Sequence, residues 1–222
     1  MYNYESDQAL DEIAAAIAHE VKNPISLVKA NISILAQDKL AEAYENNFRM
    51  INRELDKINE IMMDFIHLTE RNVNEPDIVY ICDMLRELTA DLYISGLNGL
   101  TINLNCPDEN LAVLGCEKSL KILFRNILKN ALEAMEYKGN INVDVSSKEQ
   151  LLTVKIKDTG NGFPEDIKDK IFTEYFTTKS GGSGLGLSIC KKIAKEHSGR
   201  FTLKNVTGGC EATVEMPIFS GE

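Results

Sequence analysis

The chain of 222 residues carries 34 acidic residues against 24 Lys and Arg, a formal charge of −10, with 44% hydrophobic and 26% charged residues. That balance is the balance of a folded globular protein and excludes disordered or collagen-like composition. The negative charge repels a phosphate backbone, so no nucleic-acid partner is expected. No apolar run approaches the ~18 residues of a membrane span, so no membrane contact is expected from this segment. The N-terminal MYNYESDQALDE is polar and acidic, unlike a secretory signal. Five cysteines (82, 106, 116, 190, 210) form no CxxC pair, and the histidines are confined to 19, 67 and 197. Zinc-type ligand clusters are not expected from this set, and the chain reads as a reducing, cytosolic protein with free thiols.

Along the chain, apolar residues recur every three or four positions at Leu10, Ile13, Ile17, Val21, Pro24, Val28, Ile32 and Leu35. A second series follows at Tyr44, Phe48, Ile51, Leu55, Ile58, Met62 and Phe65. This spacing predicts two helices joined by a turn near Gln37–Glu42, each with one apolar stripe. A lone hairpin leaves much of that surface wet, so a four-helix bundle made by two copies is the physical expectation; the alternative is a fold-back of residues 1–72 on the second half. Periodicity stops at Arg71-Asn72-Val73-Asn74-Glu75-Pro76, which sets the domain boundary at 1–72 and 73–222.

After Pro76 the pattern alternates. Helices are predicted over Ile81–Leu97, Leu120–Tyr137 and Leu187–His197. Strands are predicted over Leu100–Leu104, Leu111–Leu114, Asn140–Val145 and Leu151–Lys157, with a polar turn at Ser146–Gln150. A closing hairpin spans Arg200–Asn205 and Cys210–Met216 around a Gly208-Gly209 turn. The fold class is α+β: a helical hairpin followed by an α/β sandwich with helices on one face of a mixed sheet.

Several side chains fall where chemistry is plausible. His19 sits ~200° around the helix from Ile17, away from the apolar stripe and toward solvent. Glu20 follows it, and Asn23 shares its face at i+4, just before Pro24. A carboxylate can take an imidazole proton, and an amide can orient a water. Asn126 and Asn130, again i and i+4, lie on the edge of an amphipathic helix as neutral oxygen donors suited to Mg²⁺. Asp158 ends an apolar strand before Gly160 and Gly162, where a carboxylate can accept from an exocyclic amine such as adenine's. Gly182, Gly184 and Gly186 precede a helix N-terminus, a place for phosphate oxygens, yet neither the P-loop nor the dinucleotide pattern is met. Between the glycine runs, Phe172, Tyr175 and Phe176 occupy a connection of roughly 25 residues, a length typical of lids.

The order of these features, HEVKNP, FRNILKNALEAM, DTGNGFP, IFTEYFTTK, GGSGLGLSI and GGCEATVEMP, resembles the catalytic core of a sensor histidine kinase of two-component signalling. The resemblance covers about residues 8–218, and the sporulation and nitrogen-regulation type kinases look nearest. It implies a dimeric four-helix bundle and an ATP-binding sandwich of the Bergerat type. His19 would then take the γ-phosphoryl group of ATP, Glu20 accept the proton, and Asn23 orient water for a phosphatase reaction. Asn126 and Asn130 would hold Mg²⁺ and phosphate, with Asn130 the first choice for the metal. Asp158, Gly160 and Gly162 would form the base pocket, and Gly182, Gly184, Leu185 and Gly186 the phosphate loop. Phe172 and Phe176 would position the lid, and Lys129 or Lys179 would help neutralise the triphosphate.

Two departures stand out from that pattern: Glu133 occupies a place where many members have lysine, and Gly209-Cys210 replaces Gly-Thr. The resemblance also implies a homodimer and a response-regulator receiver domain as partners. The chain would be cytoplasmic, or the cytoplasmic portion of a longer membrane-bound kinase, and the 72–76 linker would be a hinge over which the ATP domain swings. Two competing readings are a phosphotransfer scaffold with a non-catalytic ATP fold and a serine kinase or ATPase on the same fold.

Overall fold

The chain divides into two compact units, Met1–Glu70 and Arg71–Glu222. The computed structural model describes residues 21–33, 47–48, 50–52, 54–55, 58, 61–62, 76–94, 99–179 and 183–220. His19, Glu20, Gly182, the Gln37–Glu42 turn and the 71–75 segment lie outside the described residues.

In the first unit, α1 covers 21–33 and α2 is helical at every described position from 47 to 62. Pro24 and Asn31 on α1, and Ile51 and Ile61 on α2, are buried, while Val21, Val28 and Ile58 are partly so. The lone hairpin leaves part of each expected stripe wet. Ile32, Phe48, Leu55 and Met62 were placed in those stripes, yet they are 52%, 55%, 44% and 43% exposed. Residues 31 and 32 are neighbours on either side of the stripe, and a three-or-four spacing fits both. Burial falls on Asn31 because its Nδ2 donates to the Leu27 carbonyl at 2.9 Å, which lowers the cost of burying the amide. The outcome is a second apolar row at heptad spacing, Ile25 and Ile32 on α1 and Phe48, Leu55 and Met62 on α2.

The second unit runs β1 (Asp77–Tyr80), α3 (Ile81–Ile94), β2 (Leu100–Asn105), β3 (Ala112–Gly115), α4 (Glu117–Ala134), β4 (Gly139–Lys148) and β5 (Leu151–Asp158). A short 3-10 turn at Glu165–Ile167, α5 (Gly186–Glu196), β6 (Arg200–Val206) and β7 (Gly209–Pro217) complete it. Five strands form a mixed sheet in the order β2-β4-β5-β7-β6, parallel between β2 and β4 and antiparallel elsewhere. Alternation sorts its faces: Ile102, Ile141, Val143, Val145, Leu152, Val154, Ile156, Ala212, Val214 and Met216 are buried. Leu120, Leu123, Phe124 and Ile127 of α4 and Ile189 and Ile193 of α5 join that core, with α4 packed on α5 and β5 and α3 packed on α4.

The structure departs from the sequence expectations in four places. Asp77–Tyr80 is a strand, and it pairs with β3 in a separate two-stranded sheet, Ile78 opposite Leu114, so β3 is not part of the main sheet. The β4–β5 hairpin is longer than read, continuing in register to Lys148 and Leu151. Helix α4 starts and stops three residues earlier than read; it stops short because Glu136 and Tyr137 adopt left-handed φ of 53° and 63°, which no helix interior accommodates. Finally, Cys82 and Cys106 are joined as a disulfide, so the expectation of five free thiols fails for this pair. Their Cα atoms lie 6.1 Å apart, within bridging distance. The 24-residue separation in sequence carried no sign of this.

The end of α5 is tied to the β3–α4 junction by one side chain. His197 Nδ1 sits 2.8 Å from the Ile193 carbonyl, and Nε2 accepts the Cys116 N–H at 3.0 Å, which fixes the neutral Nδ1–H tautomer. The ring lies so close to Gly115 that a Cβ there would come within 2.2 Å of His197 Cδ2. His197→Ala should therefore destabilise this unit by about 1–3 kcal/mol through the orphaned Cys116 N–H. Urea unfolding checks it, and an unchanged midpoint would show that the link carries no weight.

Candidate active site

Two groups of polar residues sit at different parts of the second unit, and different elements deliver them. The first group gathers where α4 meets the start of α5. The apolar face of α4 (Leu123, Ile127, Ala131 and Met135) is buried, which turns Asn126 and Asn130 to the helix edge, half-buried. A Cβ built on Gly186, the first residue of α5, would lie 3.7 Å from Asn126 Cγ and 4.0 Å from Asn130 Nδ2. The Asn126 Nδ2 is buried and finds no hydrogen-bond partner among the described residues. A buried amide N–H of this kind is costly unless something else satisfies it.

Asn130 has a partner from the connection before α5. Lys179 Nζ donates to Asn130 Oδ1 at 3.1 Å and contacts Glu133 Oε2 directly. Lys129 Nζ stands 3.9 Å from the other Glu133 oxygen. An ammonium therefore rests on the Asn130 carbonyl, which shows that this oxygen suits a cation. With the orphaned Asn126 amide beside it, the donor set fits a divalent ion carrying phosphate oxygens.

The second group surrounds Asp158, the last residue of β5, which is 6% exposed. Its Oδ1 accepts the backbone N–H of Gly160 at 2.8 Å and of Cys210 at 3.2 Å. Gly160 is required by close approach: a Cβ there would meet the Ala134 carbonyl oxygen at 2.7 Å, so the loop seats on the end of α4. Gly162 lies beside Asn205 of β6, which accepts the Phe163 N–H at 3.0 Å and donates to the Phe163 carbonyl at 2.6 Å. Asn205 was missed in the sequence, where an Asn before a Gly-Gly turn carries no distinguishing signal. Cys210, flagged as a departure, serves Asp158 through its backbone. Its thiol donates to the Lys204 carbonyl at 3.3 Å and is pushed up to about 12 by burial and then by the Asp158 charge.

The remaining residues are spread along the connection between the groups. Phe172 packs edge-on against Phe201 of β6 with ring centres 5.6 Å apart, and Lys191 of α5 lies 5.4 Å over its ring. It thus anchors the connection to β6 and α5, at neither polar group. Gly184, with φ of +69°, abuts the backbone of Tyr175 and Phe176, where a Cβ would come within 2.5 Å. The Leu185 side chain is fully buried, so only its backbone faces outward chemistry. In the first unit Asn23 is exposed on α1.

Burial, only partly offset by the Gly160 and Cys210 N–H groups, raises the Asp158 carboxyl above its ordinary value. Such a group costs stability when ionised; the cost is full above the raised value and gone below about pH 4, where the unfolded carboxyl is also protonated. Asp158→Asn keeps an oxygen for both N–H groups. It should raise the melting temperature at pH 7 by up to about 3 °C, a gain that vanishes as the pH falls to about 4. Calorimetric melts across that range check this, and a lower melting temperature at pH 7 contradicts it.

Comparison with known proteins places two family models on the chain. The His Kinase A (phospho-acceptor) domain matches residues 9–72, and the histidine kinase-, DNA gyrase B- and HSP90-like ATPase matches residues 115–219. Sporulation kinase E of Bacillus subtilis strain 168 is 32% identical over 212 residues, 93% of this chain and 28% of that protein. The chain spans between 28% and 50% of the sporulation kinases it matches. Among solved structures, a nucleotide-free catalytic domain of histidine kinase ThkA superposes with a TM-score of 0.59 at 30% identity, covering 65% of this chain and 98% of that one. Histidine kinase ThkA in complex with response regulator protein TrrA reaches a TM-score of 0.77 at 27% identity, covering 96% of this chain and 63% of that one.

Proposed function

This chain belongs to the sensor histidine kinase family, and on that premise we propose that it is an ATP-dependent protein-histidine kinase core. It transfers the γ-phosphoryl group of ATP to His19 and passes it to an aspartate of a response-regulator receiver domain. Residues 1–72 act as the dimerisation and phosphoacceptor domain and 73–222 as the ATP-binding domain. No helix among the described residues is long and apolar enough to cross a membrane, and we place the chain in the cytoplasm, as a whole kinase or the cytoplasmic portion of a longer membrane-bound one.

The observation that carries this reading is the orphaned Asn126 amide beside Asn130 at the start of α5. Two amides and a helix N-terminus form a cradle for phosphate oxygens and a cation. The Asn130 and Asn126 carbonyls would hold Mg²⁺, which would supply neutralisation of the phosphate charge. Asp158 provides the base end: with Oδ1 taken by two backbone donors, Oδ2 is the oxygen left to accept from the exocyclic amine of adenine. Gly160 and Gly162 let the backbone approach the base; Gly182, Gly184 and the Leu185–Gly186 backbone serve the phosphates. Phe172 and Phe176 hold the lid.

The transfer forms a nitrogen–phosphorus bond at the His19 imidazole as the bond from γ-phosphorus to the ADP oxygen breaks, and the ring's proton passes to Glu20. Positioning and charge neutralisation account for most of the rate in phosphoryl transfers of this kind. Asn23, exposed on α1, is suited to orienting water for hydrolysis of the phosphoryl group on the response regulator. A homodimer is supported by the exposed heptad rows at Ile25 and Ile32 and at Phe48, Leu55 and Met62, which a second copy would cover.

His19→Gln should abolish labelling from γ-labelled ATP while leaving nucleotide binding intact. Labelling retained in that variant would refute the assignment of the acceptor.

A further inference from the structure

We infer that Glu133 is a positioning residue: it ties Lys179 to the Asn130 carbonyl in the metal-free site and so makes nucleotide binding depend on the divalent cation. The inference rests on the ATP-site reading above and deepens it. Asn126, Asn130 and Glu133 follow one another at i, i+4 and i+7 along α4, which places all three on one face. Lys179 reaches that face from the connection before α5, with Nζ 3.1 Å from Asn130 Oδ1 and in direct contact with Glu133 Oε2. The Glu133 side chain is 25% exposed against 43% for Lys179, so the carboxylate is the more enclosed member of the pair. Lys129, 3.9 Å from Oε1, adds a second positive charge beside it.

An ammonium and a divalent cation on one carbonyl oxygen would stand within a few ångströms of each other and repel. With Asn130 holding Mg²⁺, Lys179 would be pushed off that carbonyl and would become available to the phosphates. Without the metal, Glu133 keeps Lys179 paired and out of reach of the phosphates. The same carboxylate favours a divalent ion next to it. One side chain thus raises affinity for the metal–nucleotide complex and lowers affinity for nucleotide alone. A unit charge at this range, even in a partly solvated site, is worth at least about tenfold in an equilibrium constant.

The test is ADP binding by calorimetry in excess Mg²⁺ and in excess EDTA, with the native chain and three variants. The ratio of the two affinities is the readout. Glu133→Gln should lower this ratio at least about tenfold, mainly by tightening binding in EDTA, because Lys179 is released. Lys179→Gln should raise it, because Glu133, left without that ammonium, repels metal-free nucleotide and favours the divalent ion. Glu133→Asp, which keeps the charge, should hold the ratio near native. A ratio that Glu133→Gln leaves unchanged, or that both neutralising variants lower together, overturns this inference alone. A native chain that binds ADP in neither condition removes the ATP-site reading and this inference with it.

Discussion

A carboxylate buried at the end of a strand is the constraint on which the second unit's organisation depends. Asp158 draws two backbone N–H groups onto one oxygen, one from the glycine loop that follows it and one from the start of β7. Because Gly160 seats on the Ala134 carbonyl, the same interaction fixes that loop to the end of α4. Asn205 then clamps the next turn of the loop from β6. Three strands and a helix end are thus held together around an ion whose burial disfavours the folded state. A core built for stability alone would place an uncharged residue here, and under the proposed function the carboxylate is kept for recognition of the base.

The other pole of the site depends on amides and a lysine. Asn126 leaves a buried N–H without a partner among the described residues, and Asn130 holds an ammonium. Both features follow from α4's amphipathic pattern, which commits one face to the core and turns the two asparagines to the rim, where α5 begins. Under the proposed function the two poles complement each other chemically: an acceptor for a base at one, donors and cation ligands at the other.

Much of this was legible from residue order. Period-two alternation marked β4 through β7, and the 3.6 period marked α4 and α5, because each element buries a single face. What escaped had no such signature. β1 is four residues long with Ile78 and Tyr80 on its exposed side, too short for alternation to register before α3 begins. The Cys82–Cys106 link brings together residues that only the fold makes neighbours. In the first unit, helical spacing identified apolar positions but not which of them the lone hairpin buries: Asn31 is buried and Ile32 is exposed. The motif residues themselves were visible in sequence, whereas their supports, Asn205 and the backbone N–H of Cys210, were set by tertiary contact.

The central claim is that the buried carboxylate reads an adenine. Adenine presents an amine donor at its sixth position, where guanine presents a carbonyl acceptor that would face the Asp158 oxygen and be repelled. Paired calorimetric titrations of the native chain with ADP and with GDP, both in excess Mg²⁺, test this most directly. Saturable binding of ADP with no detectable heat from GDP is the predicted result. Equal affinity for the two nucleotides would contradict the account.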